Sequence, residues 1–334
     1  MFLLFISIIG IANVFAQQKP QYTQYIFNNY LLNPALSGIE NYMDIKVGHR
    51  EQWSGIENSP KTSFISAHWN LSDEYLWKNP LSLPETGNDP MSRSYLQHYT
   101  SSPAHHGMGI MAISDKTGPI SRLDVGLTYA YHLQLSGLYN LSVGVYGGVS
   151  RIALDVNDLT LENANDPALS NVLAAQFKPD LGVGTWYYGP SFFAGLAIQQ
   201  IIPQKLAFTN STNYTEGKTV PHVFLTAGYK FFLDEEISVV PSAMVKKIPS
   251  LPVSFDTNIK FSYKDKIWLG GSYRKSDSFS AMLGFNFKNF VNLTYAYDIT
   301  TSALKTVSSG SHEIVLGFQL NATYSVFSGG KKWH

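Results

Sequence analysis

Hydrophobic and polar residues alternate along most of the chain beyond residue 42. Between 123 and 133 the odd-numbered positions are Leu, Val, Leu, Tyr, Tyr and Leu, and the even-numbered positions from 122 to 132 are Arg, Asp, Gly, Thr, Ala and His. Between 279 and 287 Phe, Ala, Leu, Phe and Phe alternate in the same way with Ser, Met, Gly and Asn. Because successive side chains of a β-strand point to opposite faces, this period of two predicts strands with one apolar and one polar face.

We predict fourteen strands, each where this alternation persists. They lie near residues 43–53, 62–71, 107–114, 122–134, 139–152, 180–188, 191–199, 221–232, 236–245, 252–263, 266–274, 278–287, 290–298 and 312–321. Most of these runs span roughly nine to thirteen residues, a length at which a tilted strand crosses the hydrocarbon core of a bilayer. A soluble β-sandwich shares the alternation, but its strands are typically about five or six residues long. Strand length therefore favours a membrane protein.

From residue 122 onward, short links between the predicted strands alternate with longer ones. The short links are 135–138, 189–190, 233–235, 264–265 and 288–289, and the longer ones are 153–179, 200–220, 246–251, 275–277 and 299–311. Short turns on one rim and long loops on the other are typical of outer-membrane barrels, whose turns face the periplasm. The sequence therefore predicts an all-β protein, a transmembrane antiparallel β-barrel of about 14 strands over 43–322.

One segment departs from this alternation of links. The stretch 72–106 is long, contains four Pro and falls on the predicted turn side. We interpret it as a long insertion loop, with three readings left open: a periplasmic insertion, a plug, or an early strand that is miscounted.

Both ends of the chain are predicted to lie outside the barrel. The first sixteen residues form an apolar run that ends in Val14, Phe15 and Ala16. Small residues at the end of such a run favour cleavage, so 1–16 is predicted to be a signal peptide for export, with a buried strand or a membrane anchor as the alternative. Residues 323–334 are predicted to form a C-terminal tail.

Composition supports a sheet protein and excludes several classes of function. The chain has 20 Tyr, 20 Phe and 26 Gly but only 14% charged residues, a blend that suits strands and tight turns. Lys plus Arg and Asp plus Glu both total 24, so no excess of positive charge is present to bind a nucleic-acid backbone. The absence of cysteine excludes disulfides, thiolate metal sites and a cysteine nucleophile.

Several short motifs along the mature chain carry a family resemblance. They are QYTQYIFN at 21–28, NPALSG at 33–38, REQW at 50–53, DKTGP at 115–119, YAYD at 295–298 and SSGSHE at 308–313. With these motifs, the sequence resembles the PorP/SprF family of Bacteroidetes outer-membrane proteins over essentially the whole mature chain. The block from 21 to 38 is the most specific of them.

The resemblance implies a role in the type IX secretion system and in the gliding machinery attached to it. It implies a non-enzymatic barrel, surrounded by outer-membrane lipid, that docks, exports or anchors a secreted adhesin through the C-terminal sorting domain of that adhesin. A periplasmic, peptidoglycan-linked component of the secretion machine is a further implied partner. The polar lumen face leaves a second hypothesis open, a passive outer-membrane pore for small solutes, and an outer-membrane hydrolase is the third.

The segment 17–42 precedes the first strand and lacks clean alternation, so we interpret it as a periplasmic or plug-like segment and as the favoured partner-binding element. The candidate residues here and at the end of the first strand are Gln24, Tyr25, Asn28, Asn33, Pro34, Gly38, Arg50 and Trp53. Asn33 and Pro34 form a strong turn signal, since proline fixes φ and biases the preceding residue away from helix. A segment that merely closes the barrel floor is an equally good interpretation.

Charged residues on the polar faces of the strands are predicted to face the lumen, because exposing them to lipid would be costly. They are Asp44, Lys46, Arg122, Asp124, Asp256 and Lys260. The favoured interpretation is that they pair with one another across the lumen. The alternative is that they hold a plug or an entering partner strand.

No catalytic site, cofactor or metal site is predicted. The sequence contains no G-x-S-x-G elbow, no P-loop and no H-E-x-x-H. His98, His105 and His106 lack a carboxylate at a useful ligand spacing. The stretch DVNDLTLENAND at 155–166 has oxygen ligands but lacks the glycine of an EF-hand loop, so we predict a solvated surface loop there.

Overall fold

The computed structural model describes residues 19–40, 42–71, 101–155, 175–206, 217–234, 236–249, 251–264, 266–287 and 290–320. The predicted signal peptide (1–16), most of the predicted insertion (72–106), the loop at 156–174 and the predicted tail (323–334) lie outside these residues.

Fourteen long strands run through the described part of the chain. They are β1 Met43–Glu51, β2 Lys61–Asn70, β3 His105–Thr117, β4 Ile120–Gln134, β5 Asn140–Leu154, β6 Gln176–Tyr188, β7 Phe192–Gln199, β8 His222–Tyr229, β9 Ile237–Lys247, β10 Ser254–Tyr263, β11 Ile267–Arg274, β12 Ser278–Phe287, β13 Val291–Thr300 and β14 Ser311–Leu320. Two-residue strands at Lys205–Leu206 and Gly217–Lys218 pair with each other, and Phe231–Phe232 pairs with β9.

The strands close into a barrel. Each pairs antiparallel with the next along the chain, and β1 pairs with β14, with Met43 opposite Leu320 and Glu51 opposite His312. Closure matters because lipid offers no partner for the backbone groups of a free strand edge. The predicted fold, an antiparallel barrel of fourteen strands, is confirmed.

The antiparallel order gives the barrel two different rims. We call the rim that carries the links 52–60, 118–119, 155–175, 200–221, 248–253, 275–277 and 301–310 the loop rim. The opposite rim carries 71–104 and the short links 135–139, 189–191, 230–236, 264–266 and 288–290, and we call it the turn rim. Strand β1 begins at the turn rim, and the segment that precedes β1 therefore joins the barrel wall at that end.

The wall is apolar outside and polar inside. On β4 the outward side chains include Val125, 50% exposed, and Leu127, 57% exposed, whereas the inward-facing Asp124 is only 2% exposed. The same contrast recurs around the barrel, where inward positions are largely Ser, Thr, Asn, His and charged residues. Such a contiguous apolar band indicates that the outer surface contacts lipid, because in water the band would remain exposed to solvent. None of the helices in the described ranges is long and apolar enough to span a bilayer.

Several strand boundaries differ from the predicted ones. Strand β6 begins at Gln176 instead of 180, and it includes Pro179 opposite Val149. The sequence-based prediction places 153–179 in a link, and within sheets proline is confined largely to strand edges because it cannot donate a backbone hydrogen bond. Pairing of β6 with β7 begins only at Gly182, so at Pro179 one side of the strand has no neighbour that requires an N–H group.

Two further boundaries were wrong for local reasons. The predicted insertion runs too far, because His105 and His106 already belong to β3. The predicted first strand also runs too far, because Trp53 has a positive φ of 56° and lies in the link after β1.

The depth of a lipid-facing side chain sets the cost of placing a charge there. We predict that Leu127→Arg, at the middle of β4, lowers the free energy of unfolding by about 2–4 kcal/mol. The matched change Leu133→Arg, near the turn-rim end of the same strand, should cost only about 0–1 kcal/mol. Denaturant unfolding in lipid vesicles measures both values. Equal costs at the two sites would contradict a membrane-spanning β4.

Candidate functional site

The lumen is filled by the segment that precedes β1. Residues 19–40, which we call the plug, form three single-turn 3-10 helices at Gln24–Ile26, Asn29–Leu31 and Pro34–Leu36. The last turn begins as its sequence dictates: the Asn33 side chain accepts a hydrogen bond of 3.0 Å from the N–H of Ala35, and proline occupies the first helical position. Gln24, Asn28 and Asn33, polar residues of the plug, are nearly inaccessible to solvent.

The plug extends from one rim to the other. Lys19 Nζ donates to Asp180 Oδ2 at 2.8 Å, and the Lys19 N–H donates to His222 Nε2 at 3.4 Å. Asp180 and His222 lie near the loop-rim ends of β6 and β8. At the other end, Asn70 Nδ2 donates to the Glu40 carbonyl at 3.2 Å at the turn rim. The plug therefore runs from the loop rim down to the start of β1.

Apolar side chains of the plug make the main hydrophobic core with inward-facing rings of the wall. The plug members are Tyr22, Tyr25, Tyr30, Leu31, Leu32, Ala35, Leu36 and Ile39, and the wall members include Phe64, Tyr146, Trp186 and Phe193. Tyr22 stands edge-on to Phe64 with ring centroids 5.6 Å apart. In a barrel whose wall turns its apolar face outward, the plug thus supplies the buried core.

A buried ion-pair cluster anchors the N-terminal part of the plug. Arg50 Nη2 donates to Asp298 Oδ2 at 2.7 Å and Arg50 Nη1 to Glu313 Oε2 at 3.0 Å, and these side chains are at most 3% exposed. Thr23 joins all of them: its hydroxyl donates to Asp298 at 2.7 Å and accepts from Arg50 at 2.7 Å, and its N–H donates to Glu313 at 2.8 Å. Three strands and the plug therefore meet at one arginine.

The other charges that were predicted to face the lumen do point inward and have partners. Arg122 Nε donates to Asp124 at 2.7 Å, and Lys46 contacts Asp44, which also lies 3.5 Å from His68. Asp256 pairs with Arg274 at 3.0 Å. Lys260 Nζ lies 5.1 Å from the centroid of the Trp268 ring.

Wall and plug backbones approach closely where the wall carries glycine. A Cβ atom at Gly107 would lie 1.9 Å from the Ser37 carbonyl oxygen, and one at Gly144 would lie 2.5 Å from the Ala35 nitrogen. No larger residue fits at either position without a shift of the plug. A Cβ atom at Gly38 of the plug would lie 2.5 Å from the Cα atom of Gly107. The φ of Gly38, 71°, is a conformation that glycine adopts at little cost.

An open pocket lies at the turn-rim side of the plug. Phe27 of the plug lines it together with wall residues, among them Asp44, Lys46, Lys260 and Trp268. Three of the predicted lumen charges, Asp44, Lys46 and Lys260, therefore border this pocket and not the loop-rim half of the lumen.

The structure brings most of the candidate residues together. Gln24, Tyr25, Asn28, Asn33, Pro34 and Gly38 all belong to the plug, and Arg50 contacts it directly. Trp53 does not join them, because it lies in the loop-rim link, where its N–H donates to Ser311 Oγ at 3.0 Å.

Sequence reasoning missed the wall residues that hold the plug. Asp298 and Glu313 end two of the family motifs, YAYD and SSGSHE, and this was the signal that pointed to them. His132 and Gln199 fall on polar faces among many similar residues, and no signal in the sequence distinguishes them.

The described residues contain no group of three or more His, Asp or Glu side chains arranged to hold a metal ion. His105 points inward and stacks on His132, with ring centroids 4.3 Å apart. His106 points outward, and its Nδ1 lies 2.6 Å from the Tyr129 hydroxyl. His98 is outside the described residues.

The chain matches the family model of the type IX secretion system membrane protein PorP/SprF over residues 14–318. The protein belongs to the PorP/SprF family. The resemblance carried by the sequence motifs is thereby confirmed. A PorP/SprF protein is a component of type IX secretion, and with its lipid-facing barrel wall this one is located in the outer membrane. Comparison with curated proteins gives no match.

Solved structures similar to this PorP/SprF chain are outer-membrane barrels. A Pseudomonas aeruginosa FadL homologue is 9% identical, with 91% of this chain and 95% of its own covered and a TM-score of 0.48. The monoaromatic hydrocarbon channel CymD is 12% identical, with 87% and 91% covered and a TM-score of 0.45. Acinetobacter baumannii Omp33 is 7% identical, with 85% and 100% covered and a TM-score of 0.46. Similarity at this level says nothing about function.

The buried cluster around Arg50 should dominate the stability of the plugged PorP/SprF barrel. We predict that Arg50→Ala lowers the free energy of unfolding by about 3–5 kcal/mol, because it leaves two carboxylates buried without their cation. As a matched control, Lys61→Ala breaks the exposed pair with Glu51 and should cost about 0–1 kcal/mol. Denaturant unfolding in detergent compares the two, and a small loss at both sites would contradict the anchoring role of Arg50.

The inward glycines of the wall should control the seating of the plug without affecting the barrel. We predict that Gly144→Ala exposes the plug, whereas Gly147→Ala does not, because a Cβ at 147 meets only Leu181 Cδ2 at 3.7 Å. Ser37→Cys provides the probe, since Ser37 is 0% exposed and the chain has no other cysteine. Thiol labelling should rise at least tenfold with Gly144→Ala. Equal labelling of the two glycine variants would rule out the close approach.

Proposed function

We propose that this protein is a non-enzymatic docking partner of type IX secretion, which binds the C-terminal sorting domain of one secreted adhesin and holds or guides that adhesin at the outer membrane. The observation that carries the proposal is the combination of family membership with a lumen occupied by the plug. Passive conduction needs an open path through the lumen. Because the lumen of this secretion component is filled, we expect it to act by binding its partner.

The plug argues against the passive pore that the polar lumen face first suggested. Its core side chains, its ion-pair cluster and its rim-to-rim course all lie where solutes would have to pass. A lumen filled in this way lacks the continuous water column of a porin-type barrel. No observation on the described residues favours a steady diffusion pathway.

Two surfaces are available for partners, and they suit different ones. The loop rim, which carries most of the longer links, faces the cell exterior in barrels of this kind, and we assign it to the adhesin. The turn rim faces the periplasm and carries the open pocket beside the plug. We assign it to a periplasmic, peptidoglycan-linked component of the secretion machine.

Deletion of the gene tests the proposal. We expect one adhesin with a sorting domain to disappear from the cell surface, and expression of the wild-type protein to restore it. Surface proteomics of intact cells measures this for all sorting-domain substrates together, so the unaffected substrates serve as internal controls. Unchanged display of every such substrate would refute the docking function.

A further inference from the structure

The wall holds the plug largely through the plug's backbone. The Glu313 carboxylate accepts hydrogen bonds from the backbone N–H groups of Thr23 at 2.8 Å and Gln24 at 3.3 Å. Three wall side chains donate to plug carbonyls. Gln199 Nε2 donates to Leu31 and Leu32 at 2.9 Å each, Ser142 Oγ to Ala35 at 2.6 Å, and Arg274 Nη2 to Tyr22 at 3.3 Å. Ring nitrogens of His132 and His105 lie 2.8 Å and 3.2 Å from the carbonyls of Ser37 and Gly38. These contacts come from strands all around the barrel.

Contacts of this kind recognise polypeptide as such. Every residue other than proline carries the same backbone donor and acceptor, so a wall that pairs with N–H and C=O groups accepts many sequences. Selectivity then comes from the close approaches. At Gly107 and Gly144 the bound backbone lies against the wall, which requires small residues such as Ala35 and Ser37 at those points.

The plug does not use all the hydrogen-bonding capacity of the wall. Asp124 Oδ2, Asp180 Oδ1 and Asn258 Oδ1 are buried acceptors without a donor among the described residues. A buried acceptor that no donor reaches costs free energy. A segment with donors at these points would therefore gain contacts that the plug does not make.

The plug is also attached to the barrel in a way that permits release. Within the described residues its covalent connection to the wall is at the turn rim, where it leads into β1, and its other end is held at the loop rim by Lys19 through hydrogen bonds to Asp180 and His222. Among the described residues, non-covalent contacts alone hold this N-terminal part, including those of Thr23 with Asp298 and Glu313, so the plug can leave the lumen without any break in the barrel sheet.

We propose that the lumen is a binding site for a polypeptide segment, that the plug is its resident occupant, and that a segment of the secreted partner takes the plug's place during docking. The partner segment has apolar and aromatic residues for the core positions and small residues opposite Gly107 and Gly144. This inference rests on the proposed function for the identity of the partner, but peptide binding by the lumen is independent of it.

A reversible cross-link provides the control on which the test depends. Ser37 Oγ lies 2.7 Å from Thr128 Oγ1, so cysteines at these two positions are close enough for a disulfide. Because the chain has no cysteine of its own, the pair Ser37→Cys and Thr128→Cys locks the plug to β4 and nothing else. Reductant releases it, and each single variant serves as the unlocked control.

Exchange of the plug is then measured on protein that has folded as the full chain. A protease site inserted after Glu40 is cleaved once the barrel has formed, which leaves the plug held without a covalent bond. The probe is a fluorescent synthetic peptide with the sequence of residues 19–40. We expect the cleaved, unlocked protein to take up the peptide to near one equivalent, and the locked protein to take up less than a tenth of that until reductant is added.

The wall residues that bind backbone should set the affinity for this peptide. Gln199→Ala, which removes the donor to two plug carbonyls, should weaken binding at least fivefold. Gln134→Ala removes a donor to Ser101 and should leave binding unchanged. No uptake by the cleaved, unlocked protein would overturn the inference, and so would equal uptake by the locked protein, because the peptide would then bind elsewhere.

Cells that carry the locked variant separate this inference from the proposed function. The oxidising cell envelope favours the disulfide, and we expect adhesin display to fall to the level of the gene deletion and to recover in the single-cysteine variants. Normal display with the locked plug, in a strain whose deletion abolishes display, would overturn plug exchange and leave the docking function intact.

Discussion

Lipid around the barrel wall dictates where each polar group of this protein goes. A charge on an outward face in the hydrocarbon would be costly, so buried charges such as Arg50, Asp124 and Asp256 point inward, whereas the exposed Lys61 lies at the end of its strand. Once inside, they need partners, because a buried charge left alone is costly. Arg50 shows the result: it binds Asp298, Glu313 and the plug residue Thr23 at once. Both the closed barrel and the plug therefore follow from the absence of polar partners in the surrounding lipid.

The same constraint gives the plug a double character. Its rings and aliphatic side chains form the hydrophobic core that the wall cannot supply, and its backbone satisfies inward-facing donors and acceptors such as Gln199 and Glu313. A segment with both roles stabilises the barrel and blocks its lumen. For a PorP/SprF protein this favours a role in binding over a role in conduction, and it makes the interior of the barrel part of the interaction surface.

The barrel was predictable from the sequence because strand alternation is a local pattern. Residues 122–134 reveal both faces of β4 without any knowledge of its neighbours. The start of β6 was not predictable, because whether a strand accepts Pro179 depends on which strand lies beside it. The plug was recognisable as a departure from alternation with an Asn33-Pro34 turn. The pairing of its anchors was not, since Arg50 and Glu313 are far apart in the chain and only barrel closure brings β1 beside β14.

A closed barrel that contains its own N-terminal segment should not conduct ions. Current through the wild-type protein in planar bilayers tests this most directly. We expect bilayers with demonstrated insertion of the protein to remain electrically silent, because the plug fills the lumen from rim to rim. Large, steady, ohmic conductance from the intact protein would show an open water-filled lumen and would contradict the account.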